Sequence, residues 1–253
     1  MNENEIVLRS AKLLVKTLDK MSDKTLPNEI ANIVKFHSKG AGLAGLAAGW
    51  APGVGSTLAV TAAAGFVWTM YGRINAKLGV PIGRNILKSV ASAVCTNLAA
   101  YMAGVLVGSA VASMLPGIGS VAAAGINGAT VFALTWVSGL MYLKLLTLLA
   151  KRNVELSSVS AEEMKTTMKE VVAGENIKSL LKEAKDMFKR QKDSGELDDI
   201  NQDECIIDDE VDIEVEVKKS GNHPKFCSEC GAKLNSGKFC SECGTKVQEG
   251  CML

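Results

Sequence analysis

Between residues 5 and 21 the apolar side chains fall at Val7, Ala11, Leu14, Leu18 and Met21, with Lys12, Lys16 and Lys20 between them. That spacing predicts a basic amphipathic helix, suited either to packing on the rest of the chain or to lying on an anionic membrane surface. The stretch "LPNE" (26–29) breaks it. Beyond that point the polar face disappears. Gly40–Gly72 and Ser89–Leu143 contain no Asp, Glu, Lys or Arg. Helices of such length in water need a wet face, and a wet face normally carries charge.

Each run is divided once, by "APGVGST" at 51–57 and by "LPGIGSV" at 115–121. Proline ends a helix and the glycines permit a tight turn into the next one. The expected arms are Gly40–Ala51, Ser56–Gly72, Ser89–Leu115 and Ser120–Leu143, forming two helical hairpins. They are related by a 64-residue offset that pairs Pro52 with Pro116, Gly53 with Gly117, Gly55 with Gly119, Ser56 with Ser120, and Trp68 with Phe132.

Length bears on whether these hairpins sit in lipid. A spanning helix needs about 20 apolar residues for a ~30 Å hydrocarbon core. Both arms of the second hairpin meet that. The leading arm of the first has 12 uncharged residues, roughly 18 Å at 1.5 Å each. It reaches further only if Lys35 and Lys39 snorkel, or else its tip stops partway as a re-entrant wedge. Gly and Ala fill 17 of the 33 positions from Gly40 to Gly72, which favours close helix approach. Gly45-x-x-x-Gly49 and Gly104-x-x-x-Gly108 offer such faces, within the chain or between copies of it. A membrane domain is the expectation; a buried soluble bundle is the alternative.

Charge sharpens the picture. The formal net charge is +1, so no global field recruits nucleic acid. Yet between Glu29 and Glu155 there is no acid at all, only nine cations, all at the open ends of the hairpins or in the connection 73–88. The positive-inside rule then places the open ends and both termini in the cytoplasm. No secretory leader is expected, because "MNENEIVLRS" is polar.

After Arg152 ordinary amphipathic patterns return. Ser160-Ala-Glu-Glu163 is a capping box opening a helix that Gly174 ends. A second helix over 176–191 places Ile177, Leu180, Leu181, Ala184 and Phe188 on one face. Residues 193–216 hold twelve acids and read as an extended linker. Within it, the alternation of Val211, Ile213, Val215 and Val217 with charged residues suits a short strand.

The clearest chemistry lies in "KFCSECGAKLNSGKFCSECGTKV" (225–247). Cys227-x-x-Cys230 and Cys240-x-x-Cys243 are two near-identical knuckles. Two residues between thiolates let both sulfurs reach one Zn²⁺, and a second pair completes a tetrahedron. The segment resembles the small zinc-ribbon family. Its four-sulfur shell leaves no open position, so the expected zinc is structural, and His223 is left as a linker residue. Lys225, Lys233, Lys238 and Lys246 are opposed by Glu229 and Glu242, a weak footprint for nucleic acid. Docking of a cytosolic protein is expected instead.

Phosphate binding is not expected at the glycine-rich tips. A P-loop needs a Lys after its second Gly, and none occurs from Gly40 to Gly72. No membrane acid is available for proton coupling. His37, alone beside Lys39, suits an interfacial position, Cys95 suits packing within an apolar helix, and Cys205 has no partner spacing; Asn97 and Asn127 suit hydrogen bonds across helices or a polar path.

The stretch "AGWAPGVGSTLAVTAAAGFVWTMYGRINAKLGVPIGRNILKSV", followed by "LPGIGS" and another apolar helix, resembles the YcjF-type bacterial membrane domain of unknown function, over about residues 40–145. That resemblance implies a bacterial inner membrane and, since the family is often joined to a GTPase domain, a separate GTPase as one partner. It brings no catalytic residues.

The expected fold class is therefore mainly α: two Ala/Gly-rich membrane hairpins, cytosolic amphipathic helices and a small zinc ribbon. The divisions are an N-terminal helix (1–29), the hairpin domain (30–154), cytosolic helices (155–192), an acidic linker (193–221) and the ribbon (222–253). The expected function is non-enzymatic, a membrane-anchored adaptor. A pore-forming effector gated by the ribbon and a soluble bundle holding an apolar ligand are the alternatives.

Overall fold

The computed structural model describes residues 3–48, 55–112 and 119–197, with backbone alone over 3–4, 55–62, 103–112 and 119–120. All belong to the first of two units into which the chain divides, Met1–Ile213. These residues are mainly helical, with no strand among them. The strand suggested for 211–217 lies outside them.

Seven helices follow one another: α1 Glu3–Thr17, α2 Leu26–Ala48, α3 Gly55–Leu78, α4 Arg84–Ala112, α5 Gly119–Lys151, α6 Ala161–Ala173 and α7 Ile177–Asp193. "LPNE" opens α2 as well as separating it from α1. Asp23 Oδ1 accepts from the Thr25 N–H and hydroxyl and from the Leu26 N–H, while Pro27 sits in the first turn, where its missing N–H has no partner to lose. Ser160 caps α6 by accepting from the Glu163 N–H, and Asn176 caps α7 by accepting from Ser179.

Four helices end alike. After α1, α3, α5 and α7 the chain passes through one left-handed residue: Asp19 (φ 55), Gly79 (φ 59), Asn153 (φ 55) and Gly195 (φ 76). In each case the next N–H returns to a carbonyl five residues back, as in Lys20 to Val15 and Val80 to Asn75. This Schellman closure satisfies carbonyls that would otherwise be orphaned. Gly174, by contrast, ends α6 in right-handed conformation (φ −79).

The hairpins α2/α3 and α4/α5 pack around α5, which touches all six other helices. Every residue from Asn127 to Leu143 is buried. Backbones approach most closely where α2 crosses α5: a Cβ on Gly45 would meet the Asn127 carbonyl oxygen at 2.9 Å and Gly128 Cα at 3.0 Å. Phe132, Trp136 and Tyr142 fill the centre, each contributing about 3 kcal/mol or more on truncation. The small-residue face containing Gly42 and Gly45 is thus occupied inside the chain. Gly104 and Gly108 lie where only backbone is described.

The buried face also holds polar groups that periodicity did not reveal. Tyr71 and Tyr142 stack, centroids 3.8 Å apart. The Tyr71 hydroxyl is 2.6 Å from Ser138 Oγ, and the Tyr142 hydroxyl donates to Asn75 Oδ1 at 2.8 Å. Tyr71/Asn75 on α3 and Ser138/Tyr142 on α5 are each one helical turn apart, so the two parallel helices are pinned in register.

Candidate functional site

The tip-directed ends of α2–α5 are the candidate membrane site, and a boundary of cations and aromatic rings sets it off. Trp68 lies beneath two cations, Arg84 Cζ at 5.0 Å from its ring centroid and Lys88 Nζ at 4.6 Å. Arg73 Cζ stands 5.7 Å over Phe36. Lys39 pairs with Glu196 at 3.5 Å. Amphipathic rings beside Lys and Arg are the usual furniture of a headgroup layer.

The amphipathic helix α7 reaches the same level. Its Phe188 fills the gap left by two glycines: a Cβ on Gly42 would lie 2.5 Å from the ring, one on Gly128 would lie 2.9 Å from it, and the Phe132 centroid is 5.4 Å away. Only short helical ends extend past this seat. Gly42 is six residues from the end of α2 and Gly128 is nine from the start of α5, roughly 9 and 14 Å at 1.5 Å per residue. On α4, Tyr101 shares a cleft with α6 and is eleven residues from Ala112, roughly 16 Å. These lengths are about a third to a half of a ~30 Å hydrocarbon core.

Among the described residues one helix is long and apolar enough to cross a membrane, α5 over Val121–Lys151, and 89% of its most apolar window is buried by protein. The outer face of α4 is exposed and carries no charge. Ser92, Thr96, Asn97, Ala100 and Tyr101 are exposed, and Thr96 Oγ1 donates to the Ser92 carbonyl at 2.9 Å. Hydroxyls and an amide supply the polarity expected only of ionised groups. Protein covers Asn127–Leu143 of the run Ser120–Leu143 on every side, whereas α4 keeps this exposed face as far as Tyr101.

Of the predicted hairpin tips, Gly55 and Ser56 fall in the first turn of α3, and Gly119 and Ser120 in the first turn of α5. Pro52, Gly53, Pro116 and Gly117 lie outside the described residues. So do Cys205, the acidic linker beyond Leu197 and the expected zinc ligands Cys227, Cys230, Cys240 and Cys243. Among the described residues no cluster of three or more His, Cys, Asp or Glu is placed to hold a metal. Cys95 is free and buried. His37 is buried, its Nδ1 2.8 Å from the Ile33 carbonyl and its Nε2 without a partner. Asn127 is buried beside Gly45, whereas Asn97 is exposed.

Comparison with protein-family models, with curated proteins and with solved structures finds no match to this chain.

Proposed function

We propose that the protein is a non-enzymatic, membrane-anchored adaptor. Its charge-free tips dip into one leaflet of the bacterial inner membrane from the cytoplasmic side, and its zinc ribbon docks a cytosolic protein. The observation that carries this reading is the segregation along the bundle. Cations and aromatic rings ring the level of Trp68, and beyond it the helices carry no ionised side chain. Entry into one leaflet needs only the short uncovered ends, leaves α6 and α7 in water, and keeps both termini on one side. Cys227, Cys230, Cys240 and Cys243 would hold one structural Zn²⁺. The YcjF-type resemblance makes a separate GTPase one candidate for the docked protein.

The test combines three measurements. After a carbonate wash the protein stays with the membrane and retains zinc. The double variant C230S/C243S loses zinc and partner capture but keeps membrane residence. Ser56→Cys and Ser120→Cys resist a membrane-impermeant thiol reagent applied from the periplasmic side. Labelling of both tips from that side would replace the one-leaflet arrangement by a spanning one.

The enclosure of α5 by six helices favours a second reading, a soluble helical bundle. Recovery of a monodisperse monomer from detergent-free lysate would establish that reading and remove the membrane anchor.

A further inference from the structure

Helix α7 separates its two faces more sharply than the other amphipathic helices, α1 and α6. Ile177, Leu181, Ala184, Met187 and Phe188 are buried on the bundle, while Lys178, Lys182, Lys189, Arg190 and Lys192 are exposed. An apolar face carrying Leu and Phe, set against a strongly basic one, is the make-up of a helix that lies in a bilayer interface. The two ends of α7 are held unequally. At its start Asn176 caps the first turn and Glu175 pairs with Lys144. At its end the closing contact is Lys39 to Glu196 at 3.5 Å, with more than half of the Glu196 side chain exposed, and pairs of that kind add little. Two groups in the second half also fit the bundle badly. Gln191 Oε1 is buried without a partner among the described residues, which leaves an acceptor desolvated. Lys185 is partly buried, four residues before Lys189. Burial, and then the charge on Lys189, push its pKa down, so this position works against the ammonium form.

We propose that the second half of α7, residues 185–193, is a strap that leaves the bundle on contact with an anionic bilayer and lies along its surface, Phe188 exchanging the hollow between Gly42 and Gly128 for lipid. The inference rests on the membrane reading, although entry of the tips does not require it. The move is short, because Phe188 already sits at the level which that reading assigns to headgroups. In the interface Lys185 meets phosphates, Gln191 reaches water, and Met187 and Phe188 stay out of it. Lys185, Lys189, Arg190 and Lys192 outnumber Asp186 and Asp193, four cations to two acids. That balance selects an anionic surface over a zwitterionic one.

Vesicles containing a phospholipid with a diazirine in its acyl chain test both ideas on the purified full-length protein. After irradiation, peptide mapping is expected to find label at the starts of α3 and α5, on phosphatidylcholine vesicles and on vesicles enriched in phosphatidylglycerol. Label on residues 185–193 is expected only with phosphatidylglycerol. The variant K189Q/K192Q, which changes two exposed lysines, lowers that label roughly tenfold and leaves the tip label and the thermal melt unchanged. Tip label without any on 185–193 would overturn the strap and leave the membrane reading standing. Absence of label everywhere would remove both. Equal label on 185–193 from the two kinds of vesicle, or label unchanged in K189Q/K192Q, would also overturn the strap.

Discussion

Helices α4 and α5 form one hairpin, and both are free of charge for more than twenty residues. They meet different surroundings. α5 has no outer face from Asn127 to Leu143, because protein covers every side. α4 turns Ser92, Thr96, Asn97 and Tyr101 outward and buries Val90, Val94, Leu98 and Met102. A missing charge is therefore not the same as a missing polar face. Hydroxyls and amides hydrate a helix adequately, and they are invisible to a search for Asp, Glu, Lys and Arg.

Lysine substitutions break this comparison most sharply. Leu134→Lys places an unpaired charge in the centre of α5, where its desolvation costs several kcal/mol, and no cooperative thermal transition should remain. Thr96→Lys on the outer face of α4 should shift stability by less than about 0.5 kcal/mol in a denaturant melt. A membrane-spanning α4 would instead be penalised by roughly 3 kcal/mol at that site, and the protein would leave the membrane fraction.

Next in size is the seat of α7. Phe188→Ala empties the space between Gly42, Gly128 and Phe132 and should cost about 3 kcal/mol. Residues 177–193 should become sensitive to protease before the hairpins do. Release of α7 without loss of the hairpin fold would show that the covered half of α5 can be uncovered.

Glycines offer an intermediate contrast. Gly45→Leu forces side-chain atoms into the backbone of α5 and should destabilise by about 1–3 kcal/mol. Gly65 has nothing within 4 Å of an added Cβ, so Gly65→Ala should be neutral or stabilise by up to about 1 kcal/mol. Tyr142→Phe leaves Asn75 Oδ1 buried without its donor, for an expected loss of about 1–2 kcal/mol. Denaturant melts of the three variants rank them.

The smallest effect belongs to Asp23. Its carboxyl is held below the ordinary value by hydrogen bonds from the Thr25 hydroxyl and N–H. A depressed folded-state pKa stabilises above the unfolded-state value and loses that contribution as pH falls through the folded one. The group is fully exposed, so Asp23→Ala should lower the melting temperature slightly at neutral pH and not at all in strong acid.

How much was legible can be traced residue by residue. The Pro-Gly interruptions located two helical hairpins and the capping box located α6, because caps and turns act over three or four positions, while apolar spacing located α7 to within two residues. Gly45 was legible as a close-approach residue. Its partner, the backbone of Asn127 and Gly128, was not, since nothing in a one-dimensional pattern says which helix lies opposite. Tyr71, Asn75, Ser138 and Tyr142 escaped notice for the same reason. Each looks like an ordinary residue of an apolar helix until the two turns are laid side by side. A Tyr and an Asn or Ser one turn apart, in both α3 and α5, was the available signal.

The amino-acid order by itself determined where helices begin, bend and stop, and which of their surfaces carry charge, because these properties reside in local backbone chemistry and in side-chain identity. Only the tertiary structure decided that α5 stands at the centre, packed against all six other helices, and that α4 keeps an exposed outer face. Burial depends on what packs alongside, and neighbours distant in the chain are chosen by shape. Gly42 and Gly128 are far apart in sequence, yet together they make the hollow that receives Phe188.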